Sequence, residues 1–427
     1  MKFTLAFTGS RGDIQPAIAL GIELSDRGHD VILAVPPNLV DFTRASGLNV
    51  HPYGVDTNVL LSSDLVGVEL KSSNPVRRLK AVTEMTVRDG RLMQSQLLAL
   101  TESADAVIGG SAGQERSLNV AEFRMIPYIP IHYCPLRINS SVFFFQQLTR
   151  RFPRGAMTRA SWFVLEQALW RAGRSGEAVL RAELKLPPTT ASTATTVGRQ
   201  GVPEIQAYDR VLFPDLVDEW GQRRPLVGFL NLSSGTRTLM DVEAIEPVLD
   251  AWLDAGSAPV YVGFGSMHID NPDAVVGAIT YAAGQLGMRV LVAMGWSDLD
   301  IRSDDRVMIV RAVDHEKVLP RCRAAVHHGG AGSTAASLRA GIATLVCWIG
   351  ADQPLWGARI EHLGAGISVR LADMSANSWR SALARVLSTE CEATAKRMSK
   401  DMTSAENAVA HSADIAESVV VRRRVTG

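Results

Sequence analysis

Two successive series of short apolar segments alternate with helical patterns along this chain, and this alternation restricts the fold strongly. In the first series, strands are predicted at Thr4–Phe7 and Val31–Val35, with a helix over Ile14–Arg27 between them. The second series begins after Pro225, and its predicted strands are Val260–Gly263, Val290–Ala293, Val307–Val310, Ala324–His327 and Thr344–Cys347. Strands that alternate with helices form parallel sheets with helices on both faces. The sequence therefore predicts an α/β protein with two doubly wound, Rossmann-like domains.

The boundary between these domains is predicted from a change in composition. The chain has 427 residues, and its periodicity fades between Pro187 and Pro225, where turn-forming residues are frequent. We predict an N-terminal domain over residues 1–215, a C-terminal domain over 225–390, and a helical segment over 391–427 that returns toward the N-terminal domain. A ligand is expected in the cleft between two such domains.

Charge and cysteine content exclude several classes of protein. Lys+Arg and Asp+Glu each number 44, so no net charge favours binding to nucleic acid. The four cysteines are scattered singly, which indicates a reducing compartment, and we expect a cytoplasmic protein. The apolar run in MKFTLAFTGS is shorter than a secretory signal, and no segment has the roughly 20 apolar residues of a spanning helix. Any contact with a membrane is expected to be peripheral, at its inner face.

The strongest chemical feature is a glycine-rich turn between a predicted strand and a predicted helix, at Val326–Thr334. Glycines allow the backbone to approach a ligand closely, and the first amides of the helix have no partner within it. Such a turn suits a pyrophosphate. The alternative is a tight turn with a core histidine, which the doubled histidine disfavours. The candidate residues of the turn are His328, Gly330, Ala331, Gly332 and Ser333.

Two further loops follow strands of the same half, and the carboxyl ends of parallel strands lie at one edge of a sheet. In the first loop, Gly265 and Ser266 offer amides and a hydroxyl to phosphate oxygens. In the second, Asp352 and Gln353 offer a carboxylate and an amide to sugar hydroxyls. The alternatives are a plain strand-to-helix turn for the first loop and a helix N-cap role for Asp352.

In the N-terminal half, the first strand ends in Gly9-Ser10-Arg11-Gly12-Asp13, and a helix follows. Asp13 lies where an N-cap belongs, so capping is one interpretation. An N-cap oxygen bonds the second or third amide of its helix, and Pro16, at the third position, has no amide proton. Part of the carboxylate is then available to take a proton from an acceptor hydroxyl. The turn lacks G-x-G-x-x-G spacing, which disfavours a dehydrogenase.

One short acidic motif could indicate a site for a metal ion. Asp298-Leu299-Asp300 matches the DxD carboxylate pair with which other sugar-transfer enzymes hold a divalent cation. It lies in the highly charged stretch Ser297–Arg306, and we interpret it as a solvated loop. No metal and no cofactor are therefore predicted. The ring of Trp296, just before this stretch, can stack on a nucleotide base, with core packing as the alternative.

The segment Phe143–Arg174 combines aromatic residues with arginines. Its helical part places four large apolar residues on one face by their spacing, namely Trp162, Leu165, Leu169 and Trp170. Packing of this face against the sheet is one interpretation. The other is a slot for a greasy acceptor or a surface for an anionic membrane. On that interpretation, the acceptor-binding residues are Phe143, Phe144 and Trp162.

With these motifs, the chain resembles bacterial glycosyltransferases of family 1, which have the GT-B fold, and their sterol glucosyltransferase relatives. The resemblance covers nearly the whole chain, and the motifs occur in family order: Gly9–Asp13 with Gln15-Pro16, Gly263–Ser266, His328–Ser333 and Asp352–Pro354. It implies an inverting, metal-independent transfer, with the acceptor on the N-terminal domain and the nucleotide sugar on the C-terminal domain. It also implies that Asp13 is the general base.

The resemblance assigns roles within the donor site. His328 contacts the pyrophosphate, Asp352 and Gln353 face the sugar, and the backbone around Val313 meets the base. Family members often carry an aromatic residue and a proline just before that turn, where this chain has Arg311-Ala312. The predicted donor-binding residues are Ser10, Arg11, Gly12, Gly265, Ser266, Trp296, Val313, His328, Gly330, Ala331, Gly332, Ser333, Asp352 and Gln353.

Within the family, the chain is most similar in appearance to mycobacterial transferases that decorate glycopeptidolipids with 6-deoxy sugars. This similarity implies dTDP-rhamnose or dTDP-6-deoxytalose as the donor and a lipopeptide hydroxyl as the acceptor. Transferases of sterols, macrolides and glycopeptides share the motifs and are alternatives. A nucleotide-sugar epimerase of the same fold and a catalytically silent protein are further alternatives, and the presence of Asp13, His328 and Asp352 disfavours the silent protein.

Overall fold

A computed structural model of the chain describes residues 1–57, 75–143, 155–240, 245–265, 269, 271–295 and 303–426. These residues form two compact units. The first unit contains the described residues from Met1 to Met240 and from Thr403 to Thr426, and the second those from residue 245 to Met402. Each unit is built on a parallel six-stranded sheet.

The sheet of the first unit has the strand order β3-β2-β1-β4-β5-β6. Its strands are β1 (Lys2–Ala6), β2 (Asp30–Val35), β3 (Asn49–Pro52), β4 (Ala106–Gly109), β5 (Tyr128–His132) and β6 (Ile205–Gln206). Its helices include α1 (Arg11–Asp26), α2 (Val40–Arg44), α3 (Pro75–Leu100), α4 (Gln114–Arg124), α5 (Ala156–Glu183), α6 (Thr193–Gln200), α7 (Pro214–Trp220) and α8 (Ser234–Leu239). The central strands β4 and β5 are buried along their whole length, as expected of a parallel sheet covered on both faces.

The sheet of the second unit has the order β12-β11-β10-β7-β8-β9. Its strands are β7 (Val260–Gly263), β8 (Val290–Ala293), β9 (Val307–Val310), β10 (Ala324–His327), β11 (Ala343–Trp348) and β12 (Gly366–Arg370). Its helices include α9 (Pro247–Asp254), α10 (Pro272–Gln285), α11 (His315–Val318), α12 (Ala331–Arg339), α13 (Gln353–Leu363), α14 (Ala376–Val386) and α15 (Thr389–Asp401). Counted from its first strand, this sheet has the same strand order as the first. The predicted pair of doubly wound sheets is confirmed.

Local sequence explains where several helices begin. Asn271 caps α10 by accepting a hydrogen bond from the Ala274 amide at 3.3 Å, and Pro272 occupies the first helical position. The Ser192 hydroxyl caps α6 in the same way, accepting from the Thr195 amide at 3.1 Å. Short 3₁₀ helices add further turns at Pro37–Leu39, Gly221–Arg223, Leu319–Arg321 and Leu371–Asp373.

The first unit extends further along the chain than composition indicates. The sequence places the boundary between Pro187 and Pro225, whereas residues up to Met240 belong to the first unit. A bridge between Gln206 and Leu226 extends the pairing beyond β6. Gly228 has a φ of +105°, and a Cβ there would lie 2.8 Å from the Thr403 Cβ, so the backbone is closely packed at this point. Composition alone does not report such contacts.

The chain returns to the first unit through helix α16 (Ala405–Thr426), which packs against α1. The Arg27 guanidinium pairs with Asp414 at 2.7 Å and with Glu417 at 3.0 Å. Upstream of the helix, the Thr403 amide donates to the buried Asp209 carboxylate at 2.7 Å. The predicted return of a C-terminal helix is therefore confirmed for α16, whereas α15 belongs to the second unit. No helix of the described residues is both long and apolar enough to cross a membrane.

Candidate functional site

The glycine-rich turn lies at the switch point of the second sheet, where successive connections leave in opposite directions. Strands β7 and β10 are neighbours there, with His327 in register with Gly263. The chain passes from β7 outward to β9 on one side and from β10 outward to β12 on the other. Loops at such a point diverge and leave a crevice at the carboxyl edge of the sheet, which is where α/β proteins bind ligands. Helix α12 begins at this edge, with Gly330 as its N-cap.

Two glycine-containing loops approach the His328 ring, and a third packs against the first of them. A Cβ on Gly265 would lie 3.3 Å from His328 Cε1, and one on Gly330 would lie 2.6 Å from His328 Nε2. Gly265 and Gly295 both have a φ of +62°, and a Cβ on Gly295 would lie 2.1 Å from the Gly265 carbonyl oxygen. Glycine is therefore required here for both conformation and space. The predicted convergence of Gly265 with the residues of the turn is observed.

The two adjacent histidines make different contacts. His327 is buried, and its Nδ1 accepts a hydrogen bond from the Gly329 amide at 2.9 Å, so the ring proton of its neutral form lies on Nε2. Gly329 itself has a φ of +88°. This bond ties the glycine turn to the end of β10. Sequence reasoning assigned no role to His327, although its position before a turn amide is a readable signal.

His328 is held in its neutral form. Burial, and then the nearby His315, lower the pKa of His328 to about 4. Its Nδ1 is buried and makes no hydrogen bond to any described residue. Burial also lowers the pKa of His327 far below its usual range, with His328 and His315 adding to the effect. A neutral His328 offers an N–H donor to an anion without carrying a charge of its own.

The loop before α13 lies beside the same turn. A Cβ on Gly329 would lie 3.3 Å from the Gln353 carbonyl oxygen, which brings the two predicted loops together. Asp352 is the N-cap residue of α13, and its carboxylate accepts a hydrogen bond from the Trp356 indole at 2.8 Å. The Gln353 side-chain oxygen accepts from the amides of Ile349 and Gly350 at 2.8 and 3.2 Å. The Gln353 side-chain oxygen thus holds the backbone of the loop in which it lies.

Of the other predicted donor residues in the second half of the chain, some are described by the structure and some are not. Val313 lies just after β9 and packs against the apolar cluster that contains Val318. Gly332 is exposed in the first turn of α12, with Ala331 and Ser333 partly exposed beside it. Outside the described residues lie Ser266, Trp296 and the Asp298–Asp300 motif. The roles of all these residues as ligand contacts stay predictions.

Asp13 is not the N-cap of α1, which corrects the interpretation from sequence. The helix begins at Arg11 and its N-cap is Ser10, so Asp13 is the third helical residue. Its carboxylate accepts from the Ser10 amide at 2.7 Å and from the Ser10 hydroxyl at 3.0 Å. This is a capping box, in which N-cap and third residue support each other. The sequence argument failed because Arg11-Gly12 resembles a turn and hides the first helical turn.

The surroundings of Asp13 hold it in place. Gly9 has a φ of +117°, and a Cβ there would lie 2.4 Å from the Asp13 carboxylate. The Thr57 hydroxyl donates to the Gly9 carbonyl at 2.8 Å, and the Tyr133 hydroxyl donates to the Asp13 carbonyl at 2.9 Å. Tyr133 is a residue that sequence reasoning missed, since it lies 120 positions away. Beside this group, the Arg11 guanidinium lies over the Phe42 ring at 4.4 Å.

The predicted acceptor-binding residues are buried where they are described. Trp162 is 3% exposed and its indole donates to the Val142 carbonyl at 2.6 Å, and Phe143 is 8% exposed. Helix α5 packs mainly against α3, not against the sheet. The exposed apolar side chains of α5 include Phe163, Val164 and Leu169. Trp162 and Leu169, which the spacing places on one face, therefore differ in exposure, since the first is buried and the second is exposed. Phe144 lies outside the described residues.

Acidification is expected to destabilise the fold through these histidines. The unfolded chain protonates His328 near pH 6.5 and the folded chain only near pH 4, so the unfolded state binds more protons between these values. The free energy of unfolding should therefore decrease as the pH is lowered, by about 2 kcal/mol from pH 7 to pH 5 from His328 alone. Urea unfolding at both pH values measures this. The His328→Asn variant should show a smaller fall, and an unchanged fall would contradict the prediction.

Comparisons with known proteins agree with this architecture. The family model of the glycosyltransferase family 28 N-terminal domain matches residues 3–129. The model of the erythromycin biosynthesis protein CIII-like C-terminal domain matches residues 283–418. Together the two models cover parts of both units.

Relatives and solved structures match over nearly the whole chain. An uncharacterized glycosyltransferase of Mycobacterium tuberculosis is 37% identical over 99% of this chain and 100% of its own length. A sterol 3-beta-glucosyltransferase of Arabidopsis thaliana is 29% identical over 94% of this chain and 63% of its own length. Two crystal structures share the fold: the calicheamicin glycosyltransferase CalG4 (TM-score 0.68, 18% identity, 99% and 98% of the two chains) and glycosyltransferase VinC with dTDP (0.64, 17%, 99% and 100%). The chain belongs to the family 1 glycosyltransferases, which have the GT-B fold.

Proposed function

We propose that this chain is an inverting hexosyltransferase that moves a 6-deoxyhexose from dTDP-rhamnose or dTDP-6-deoxytalose onto a hydroxyl of a lipopeptide. The observation that carries the donor half is the meeting of Gly265 and Gly330 at the His328 ring, at the start of α12, with Gly295 packed against Gly265. Free amides at a helix start, with the helix dipole, favour a diphosphate. The dTDP bound to VinC supports a thymidine nucleotide as the donor.

The proposal includes transfer without a metal ion. As the bond between sugar and diphosphate breaks, negative charge grows on the leaving diphosphate, and amides at the start of α12 together with the His328 ring are donors that can stabilise it. Among the described residues, no group of three or more His, Cys, Asp and Glu is arranged to hold a metal. Turnover in excess EDTA tests this part, and its loss with recovery on adding Mn²⁺ would direct attention to Asp298-Leu299-Asp300.

The proposal assigns the acceptor half to Asp13. In an inverting transfer the acceptor oxygen forms a bond to the anomeric carbon, the diphosphate leaves with the electron pair of the broken bond, and the hydroxyl proton passes to a base. A carboxylate fixed in the first turn of α1 by the capping box and by the tight approach of Gly9 is a suitable base.

One relative and the surface of α5 support an apolar acceptor for this proposal. The sterol glucosyltransferase of Arabidopsis thaliana supports an apolar acceptor, and it also favours a sterol as the second candidate. Membership in a transferase family leaves the epimerase alternative without support. The exposed side chains of Met157, Phe163 and Val164 lie on the same helix as the exposed Arg171. The proposal includes a peripheral contact between this apolar and basic surface of α5 and the cytoplasmic face of an anionic membrane.

The donor site is tested by binding. His328→Ala removes a buried donor from the diphosphate site and should weaken dTDP binding by about 1.5–3 kcal/mol, the range for a hydrogen bond to a charged group. Calorimetry with dTDP measures the loss. His411→Ala, which changes an exposed histidine of α16, is the matched control and should bind dTDP normally. Equal affinities in both variants would remove His328 from the site.

Kinetics of Asp13→Asn test the base. The amide oxygen of asparagine can still accept from the Ser10 amide, so the capping box and the fold should survive. Loss of the base should lower turnover by about 10²–10⁴-fold with little change in dTDP affinity. Near-normal turnover in the folded variant would show that Asp13 only supports the start of α1.

Sedimentation with vesicles tests the membrane contact. Phe163→Ser together with Val164→Ser should reduce binding to anionic vesicles, because both side chains are exposed and apolar. The control Val217→Ser removes an exposed valine from a different helix, α7. Parent protein that stays in the supernatant with anionic vesicles would contradict the membrane contact directly.

A further inference from the structure

Trp356 is a buried residue beside the predicted donor site that belongs to none of its sequence motifs. It lies in the first turn of α13, four positions after Asp352, and its side chain is fully buried. The indole N–H donates to Asp352 Oδ2 at 2.8 Å. The side chain therefore reaches back along the helix to the carboxylate at its start.

The indole has little freedom to move. The residue after it, Gly357, lies so close to the sheet that a Cβ there would be 2.4 Å from the Ser368 hydroxyl and 3.0 Å from the Val346 side chain. At Gly357 the backbone of α13 thus packs directly on side chains of β11 and β12. Because the Trp356 side chain is fully buried on a closely packed helix, its ring has little room to turn and its N–H points to Asp352.

The Trp356 hydrogen bond orients the Asp352 carboxylate and favours its charged form. Burial raises the pKa of Asp352, and hydrogen bonds from the Trp356 indole and from its own backbone amide act in the opposite direction. The neighbouring Gln353 commits its side-chain oxygen to the amides of Ile349 and Gly350. Among the contacts just described, the Trp356 indole is the one side-chain group that donates to the Asp352 carboxylate.

We propose that Trp356 is a positioning residue that sets the sugar selectivity of the enzyme by holding Asp352 in one orientation. Sugars of nucleotide donors differ in the direction of single hydroxyls, and a carboxylate held in one rotamer accepts well from only one arrangement. A buried acceptor left unpaired by the wrong sugar costs free energy, which is the basis of discrimination. This inference rests on the proposed function, because it takes Asp352 as the sugar contact.

Trp356→Phe separates this role from simple packing, since it keeps an aromatic ring and removes the donor. Calorimetry with dTDP, dTDP-rhamnose and dTDP-glucose is the measurement. We expect dTDP affinity within about twofold of the parent, because dTDP lacks the sugar. The preferred sugar nucleotide should bind roughly tenfold or more weakly, and its preference over the other should shrink. The acid limb of kcat/KM should also move to higher pH, as Asp352 loses a bond that favours its charged form.

Two further variants complete the test. Trp252→Phe is the matched control: its indole donates to the Asp304 carbonyl at 3.1 Å, so it loses the same kind of bond away from Asp352. It should leave all three affinities unchanged. Asp352→Asn approaches the same contact from the other side and serves if Trp356→Phe fails to fold. Its amide oxygen can still accept from the indole, so the start of α13 should be kept. Loss of the carboxylate charge should lower sugar-nucleotide affinity while leaving dTDP affinity intact.

The outcomes distinguish this inference from the proposed function. If the parent binds neither dTDP nor a sugar nucleotide, the proposed function fails and the inference with it. If the parent prefers one sugar and Trp356→Phe keeps that preference, the inference alone is overturned. A parallel loss of dTDP and sugar-nucleotide affinity in Trp356→Phe would also overturn it, since that is the result of a packing defect.

Discussion

The second unit depends on the close approach of backbones at the carboxyl edge of its sheet. Gly265, Gly295 and Gly330 each stand where a side chain would collide with a neighbouring loop or with the His328 ring. Loops that meet without side chains between them present amides and carbonyls to whatever binds there. The chemistry of the site therefore comes from main-chain geometry, and the side chains around it mainly fix that geometry. His327, which bonds the Gly329 amide, is the plainest example.

Burial rather than formal charge sets the electrostatics of this site. His328 is neutral at physiological pH because its pKa is about 4, and the helix start carries only partial charge. A diphosphate would thus be met by oriented dipoles, which need no reorganisation as charge shifts onto the leaving group. In the first unit, by contrast, Asp13 keeps its place through bonds to Ser10, one of which comes from the backbone. The two halves of the proposed reaction are supported by different means.

Sequence patterns predicted the parallel sheets well because strand periodicity and glycine turns are local signals. The meeting of Gly265 with the turn at His328 followed from the rule that the carboxyl ends of parallel strands lie at one edge of a sheet. The order of the strands within each sheet was not predicted, because it depends on contacts between distant parts of the chain. The predicted position of Asp13 as the N-cap was wrong, because the helix begins three residues earlier, after Ser10. The sequence Arg11-Gly12 is typical of a turn and gives no local signal for this earlier start. The Tyr133 contact is long-range and has no local signal. Trp356 was within reach, since a residue four positions after a helix start faces its cap.

Helix α16 gives the two units different histories during synthesis. The described residues of the second unit all lie between residue 245 and Met402, so its strands β7 to β12 have left the ribosome before the first unit is complete. Arg27 and its partner Asp414 are 387 positions apart in the chain, and His29 and Glu417 are 388 positions apart, so neither pair can form until the last helix is synthesised. A nascent first unit is therefore exposed along α1 for most of translation. The order of emergence makes the unit that begins first the one that is finished last.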